Sequence, residues 1–204
     1  MKKVEIDQFS SADFQIVEKK RVFDGFFKVD KYTLNHKKFD GTATHSFTRE
    51  VFERGDAVVL IPYDPICDTV VLNQQFRPGA IRTHENPWML EFVAGMFTKD
   101  EDPIDAAIRE AEEEAGLVVK RQNVRPVMRY LSSPGGTSEQ MHIYIGIVDS
   151  KEAGGIFGLD IEDEDIKTYV VSRSQATDLL REGKITNAAT IIGLQWLALN
   201  YQTL

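Results

Sequence analysis

Apolar positions change their period along this chain, and the changes mark its elements. Residues 14–54 read as three extended segments, FQIVEKKRVF, FFKVDKYTL and ATHSFTREVFERG, the second and third entered through Asp24-Gly25 and Asp40-Gly41 turn dipeptides. After Gly55, AVVLIPY and TVVLNQQFR are nearly continuous apolar runs separated by Asp-Pro-Ile-Cys-Asp, the pattern of central strands covered on both faces. WMLEFVAG is expected to lead from a strand into a loop, with Ala94-Gly95 allowing close backbone approach to a ligand. VRPVMRYL and MHIYIGIV are further strands around the polar loop SSPGGTSEQ. EAGGIFGLDIEDEDI is too long for a tight turn and suits a mobile loop carrying a functional group, and TYVVS is a short strand. SQATDLLREGK reads as a capped helix stopping at Gly183. NAATIIGLQWLALNY reads as a helix capped by Asn187, with an apolar face running through Trp196 and Leu199.

One helix departs from ordinary amphipathic logic. Asp102 is placed to cap it, Pro103 suits its first position and Gly116 its end. Ile104, Ala107, Ile108, Ala111 and Ala115 recur at helical spacing as a narrow apolar stripe. At 100° per residue, Glu110, Glu113 and Glu114 share one edge beside it. Like charges three and four apart repel, and they crowd the helix end where the macrodipole favours cations. An acidic run on a helix is most often a solvated face, but breaking both rules together points to a functional site relieved by a bound divalent cation.

Composition narrows the field. With 204 residues, 42% hydrophobic and 27% charged, the chain has enough material for one domain plus an appendage. The boundary falls at 54/55, between an N-terminal β-domain (1–54) and the main domain (55–204). No apolar run reaches the roughly eighteen residues of a membrane span. MKKVEIDQFSS lacks an apolar leader core, and the single Cys67 cannot pair within the chain, so a cytoplasmic location is expected. A net charge of −8 argues against nonspecific nucleic-acid binding. Eight acids lie between Asp100 and Glu114 and five between Asp160 and Asp165, so a polyanionic substrate would be received through metal ions or a local arginine cluster.

The stretch from Gly95 to Leu117 reads Gly95, five residues, Glu101, seven residues, Arg109-Glu110, Ala111, one residue, Glu113-Glu114, one residue, Gly116-Leu117. At each defined position it resembles the Nudix box. The likeness extends over most of the chain to the bacterial ADP-ribose pyrophosphatases of that superfamily, because Pro134 in SPGGTSE lies seventeen positions past Leu117 and a second acidic segment spans Gly158 to Ile166. The resemblance implies an α+β protein, a Nudix α/β/α sandwich around a mixed sheet with an N-terminal antiparallel β-sheet domain. It implies Mg2+, with Mn2+ as a substitute, held by Glu110, Glu114, Glu164 and the Ala94 carbonyl, and Glu113 as a further ligand or partner of a metal-bound water. Glu101 and Arg109 would be structural, Arg109 pairing with box glutamates. Glu162 would be the general base, Glu164 a metal ligand on the same loop.

By the same likeness the N-terminal domain would be exchanged within a homodimer and help build the partner's adenosine site. Phe26 or Phe27 would stack on adenine. Arg49, Glu50, Arg54 and Arg77 would contact the nucleotide, with Met96, Ser133, Pro134, Gly135 and Glu139 along its ribose-phosphate side. Judged from their neighbours alone, the two phenylalanines suit a core equally well and Arg49 and Arg54 a solvated surface. The expected reaction is hydrolysis of ADP-ribose to AMP and ribose 5-phosphate. The rivals are a pyrophosphatase for another nucleoside diphosphate sugar and a catalytically silent nucleotide sensor or metal-binding module.

Overall fold

The computed structural model describes residues 4–6, 9–83 and 86–204; part of the opening stretch read above for a leader lies outside them. The chain divides into two compact units, Met1–Arg54 with Ser133–Glu139, and Gly55–Ser132 with Gln140–Leu204. The SPGGTSE loop thus clusters with the N-terminal strands, whereas its position in sequence had placed it in the main domain.

The first unit is an antiparallel sheet of β1 (Phe14–Asp24), β2 (Lys28–His36) and β3 (Phe47–Glu53), in the order β1-β2-β3. Every residue of β1 is exposed. Among the described residues of its three strands Asp30 is the buried one; it is held by Arg21 and Lys19 at 2.8 Å and 3.0 Å, and these hydrogen bonds lower its pKa to about 2. The loop Ser133–Glu139 extends β3. Phe52 N donates to Gly136 O and Ser138 N to Phe52 O, while the Ser138 hydroxyl and the Tyr32 hydroxyl both donate to the Glu53 carboxylate.

The second unit contains β4 (Asp56–Asp64), β5 (Thr69–Phe76), β6 (Trp88–Glu91), β7 (Val93–Phe97), α1 (Pro103–Ala115), β8 (Val124–Leu131), β9 (Gln140–Ile147), β10 (Gly155–Phe157), β11 (Ile166–Ser172), α2 (Arg173–Arg181) and α3 (Ala188–Asn200). The sheet runs β10-β11-β5-β4-β9-β8, with β6 on β5 and β7 on β4. Only the β4/β9 pair is parallel, so the sheet is mixed.

Alternation along β4 explains the sandwich. Val58 and Leu60 pack with Ala106, Ala107, Ala111 and Ala115 of α1, whereas Val59, Ile61 and Tyr63 pack with Ala176, Ala189, Leu194 and Leu197 of α2 and α3. Helices on both faces make every β4 side chain from Ala57 onward a buried one. This is the α/β/α arrangement with a separate antiparallel sheet that the motif implies.

Four local expectations are corrected. WMLEFVAG is two strands, not one: the chain breaks at Phe92, whose buried ring joins the α2/α3 side, and β6 and β7 take different partners. Ala94 and Gly95 accordingly lie within β7 rather than in a loop. The segment read as a mobile loop holds β10 and a short 3-10 turn at Asp160–Glu162. In α3 the buried face is Ala189, Thr190, Gly193, Leu194 and Leu197; Leu199, two residues past Leu197 and so on the opposite side, is 85% exposed.

Candidate active site

Helix α1 is fixed at both ends by local chemistry. The Asp102 carboxylate accepts from Ile104 N, and Pro103 fills the first helical position. Gly116 ends the helix in the left-handed region at φ 63°, with its N–H and that of Leu117 returning to Glu112 O and Ala111 O. A Cβ at Gly116 would overlap the Phe157 ring, so that glycine also lets β10 lie against the helix end. Gly158 N donates to Glu113 O at 3.3 Å, tying the stem of the second acidic segment to the same turn.

The box carboxylates are not equivalent. Arg109 donates from Nε to Glu101 at 3.0 Å and from Nη1 to both Glu110 Oε1 and Glu113 Oε2 at 2.8 Å, with a longer bond from Nη2 to Met96 O. One guanidinium therefore spans the three acids and holds the β7–α1 connection. Glu114 sits apart from it and is 2% exposed, so the acidic edge merges into the buried face instead of standing beside it. Its Oε2 accepts from Ala94 N at 3.0 Å and Asn73 Nδ2 at 3.2 Å, and its Oε1 from Gln75 Nε2 at 3.5 Å. All three donors are neutral.

Burial, reinforced by the Glu110 and Glu164 charges and opposed by the Ala94 N–H and Arg77, raises the Glu114 pKa to about 8. Glu110 is raised chiefly by burial against the pull of Arg109, with Glu113 and Glu164 also raising it. Glu110, Glu114 and Glu164 thus share one electrostatic neighbourhood. Gly95 is the cradle at its edge, because a Cβ there would overlap Glu110 Oε1. Ala94 pairs with Val59 across β4/β7 yet gives its N–H to Glu114. The N–H and C=O of a strand residue point to the same edge, so the Ala94 carbonyl faces the carboxylates as well.

This donor set suits a hard divalent cation. Every side-chain donor is a carboxylate oxygen, and Glu114 is a buried carboxyl group whose donors are amides, with no cation within ion-pair distance among the described residues. No group of three or more such side chains among the described residues is drawn to ligand distance of a common point.

The other predicted residues fall in separate places. Arg77 is held by buried Glu91, from Nε at 3.0 Å and Nη2 at 2.9 Å, and Glu91 in turn accepts from Asn187 Nδ2, the residue that caps α3. Glu114 and Glu164 act on the Arg77 charge as well. Met96 is exposed in β7. Glu164 is half-buried, Glu162 is exposed in the 3-10 turn, and Leu159 N lies 3.5 Å from Glu164 Oε2.

Within the first unit, Phe27 packs against Phe26 and Phe52 at 4.8 Å and 5.1 Å between ring centroids, and Arg54 lies over the Phe27 ring while pairing with buried Glu139 at 2.9 Å. Phe26 is 83% exposed. Arg49 stacks on Phe47, Glu50 faces solvent opposite Lys31, and Ser133, Pro134 and Gly135 are exposed in the loop. Sequence reasoning missed Asn73, Gln75, Glu91 and Thr168, and the bond that Asn187 makes to Glu91. For the first two a signal existed, since amides inside an otherwise apolar central strand need buried partners.

With this fold and this acidic helix, the chain belongs to the Nudix family, whose domain model matches residues 53–191. It is an enzyme of the Nudix hydrolase type. Among its relatives, a protein named ADP-ribose pyrophosphatase in Escherichia coli (strain K12) is 50% identical over 196 residues, covering 96% of this chain and 93% of the relative. One of the same name in Haemophilus influenzae is 45% identical over 203 residues, covering 98% and 93%. A GDP-mannose pyrophosphatase of Pectobacterium atrosepticum is 33% identical over 186 residues, covering 91% and 94%.

Proposed function

We propose that this chain hydrolyses the pyrophosphate bond of ADP-ribose, giving AMP and ribose 5-phosphate, with Mg2+ as the metal and Mn2+ able to replace it. The observation that carries the reading is Glu114, a buried carboxylate with neutral donors beside Glu110 and Glu164, in a chain half identical to a protein named for this activity. Glu110, Glu114, Glu164 and the Ala94 carbonyl would hold the metal, and Glu113 would accept from a water bound to it. A divalent cation held there would supply charge to neutralise the diphosphate and to acidify the attacking water.

The chain's own groups do the rest. Glu162 takes the proton of the attacking water as its oxygen adds to one phosphorus, and the bond from that phosphorus to the bridging oxygen breaks, leaving two phosphomonoesters. Exposure of Glu162 on a short turn leaves it able to reach a bound substrate. Arg109 keeps Glu110 and Glu113 in place by charge-assisted bonds. Phe26 or Phe27 would stack on adenine and Arg49, Glu50, Arg54 and Arg77 would contact the nucleotide. Met96, Ser133, Pro134, Gly135 and Glu139 would line its ribose-phosphate side.

We assign the protein to the cytoplasm as a homodimer with exchanged N-terminal domains, without nucleic-acid or membrane partners. Among the described residues no helix is long and apolar enough to cross a membrane. A dimer is favoured by β1, which exposes Phe14, Ile16, Val17, Val22 and Phe23, since three strands alone bury too little to stand in water. The rival substrate class, other nucleoside diphosphate sugars, is represented by the GDP-mannose pyrophosphatase at the lower identity of 33%.

A panel of nucleoside diphosphate compounds incubated with the protein, Mg2+ and excess phosphomonoesterase separates these readings, because only cleaved diphosphates release inorganic phosphate. ADP-ribose is expected to give the fastest release. Faster release from GDP-mannose would move the assignment to the rival class, and release from none would remove the enzymatic reading.

A further inference from the structure

The polar residues of β5 and β11 form a buried relay behind Glu114. Val71, Asn73 and Gln75 alternate onto the face of β5 that α1 covers, so the strand's amides arrive where its apolar contacts with the helix stop. Thr168 lies directly opposite Asn73 across the β5/β11 ladder. Its hydroxyl donates toward Asn73 Oδ1 at 2.9 Å and lies 3.1 Å from Glu114 O. Asn73 Nδ2 then donates to Glu114 Oε2. Asn73, Thr168 and Glu114 are all more than nine-tenths buried.

A carboxamide can present either end. When the Thr168 hydroxyl gives its one proton to Asn73 Oδ1, the nearer of its two acceptors, the NH2 group is left facing the Glu114 carboxyl group. Reversal would set the amide oxygen against the Glu114 carboxyl oxygens and turn the hydroxyl proton to Glu114 O instead. Glu114 Oε2 is thereby fixed from two directions, by Asn73 and by Ala94 N.

We propose that Thr168 and Asn73 are positioning residues for metal binding, Thr168 setting the direction of the Asn73 amide and Asn73 the orientation of the Glu114 carboxylate. This rests on the reading of Glu114 as a metal ligand. Outer partners that orient a ligand typically contribute about 10–100-fold in metal affinity. Neither residue meets substrate in this account, so the effect falls on metal binding.

The test is Mn2+ titration of the substrate-free protein, with the free ion followed by electron paramagnetic resonance, for wild type, Thr168→Val, Thr168→Ser, Asn73→Ala and Glu114→Gln. Thermal unfolding of each variant is recorded beside it. Thr168→Val and Asn73→Ala should each weaken binding by about 10-fold or more, and Thr168→Ser, which keeps the hydroxyl, should stay near wild type. At saturating Mg2+ the KM for ADP-ribose of Thr168→Val should remain within about twofold of wild type. Should Thr168→Val and Asn73→Ala both bind Mn2+ like wild type while Glu114→Gln binds weakly, the relay is overturned and the ligand assignment stands. Wild-type affinity in Glu114→Gln would overturn the ligand assignment and the relay with it. Equal weakening in Thr168→Val and Thr168→Ser would also defeat the relay, because packing and not the hydroxyl would then be responsible.

Discussion

Glu110 keeps its position by favour of a missing side chain. A Cβ on Gly95 would overlap its carboxylate, yet the obstructed atoms are the far end of a flexible side chain, which can swing away at little cost to the fold. Gly95→Ala should therefore leave the thermal midpoint almost unchanged while cutting kcat/KM on the order of 100-fold, the scale of a 1 Å misplacement of a working group. Asp64 makes the opposite kind of prediction, one of stability alone. Burial raises its pKa, but donors from Ser150, Cys67 and Ile66 outweigh that and hold it at about 2. Being depressed from 3.8, it contributes stability that is present above about pH 4 and lost as pH falls through about 2. Acid unfolding of Asp64→Asn should show a deficit of roughly 2 kcal/mol at neutral pH that closes toward pH 2. A deficit constant across that range would contradict the assignment.

Among the elements, those set by local chemistry were legible in the sequence. Asp102, Pro103 and Gly116 mark the ends of α1, and Asn187 that of α3, because capping engages neighbours within a few residues. The division of WMLEFVAG was not legible, because it is decided by which strands β6 and β7 pair with, and those partners lie elsewhere in the chain. The same holds at the site. Spacing marked Glu110, Glu113 and Glu114 as a cluster and the motif implied that Arg109 pairs with box glutamates, but neither told that Asn73, Gln75 and Ala94 receive the third. Sequence separations of 20–41 residues divide Glu114 from those donors. What joins the segment proposed to carry the base to the helix proposed to hold the metal is the Phe157 ring against Gly116 and the Gly158 N–H on Glu113 O. Phe157→Ala should loosen that junction and lower kcat by about 10-fold or more with Mn2+ affinity retained, measured by steady-state kinetics alongside metal titration. Equal loss of both would make the contact a general support of the helix.

At the scale of the whole molecule, the N-terminal unit carries Phe26, Phe27, Arg49 and Arg54, proposed to meet the nucleotide, and its β1 strand has no buried residue. If it completes a partner's site, Phe26→Ala/Arg49→Ala in one chain and Glu162→Gln in another should complement after subunit exchange. Random pairing makes half the dimers mixed, each with one intact site, so recovery should approach about a quarter of wild-type activity. No recovery despite demonstrated exchange would mean each chain builds its own site. The central claim, metal-dependent water attack on ADP-ribose assisted by Glu162, is tested most directly by chromatography and mass analysis of the products formed in 18O-water. Wild type with Mg2+ should yield AMP and ribose 5-phosphate in equal amounts with one 18O per turnover, stop on chelation, and slow by about 10²–10⁴-fold in Glu162→Gln. Products formed undiminished after chelation, or at the wild-type rate by Glu162→Gln, would contradict it.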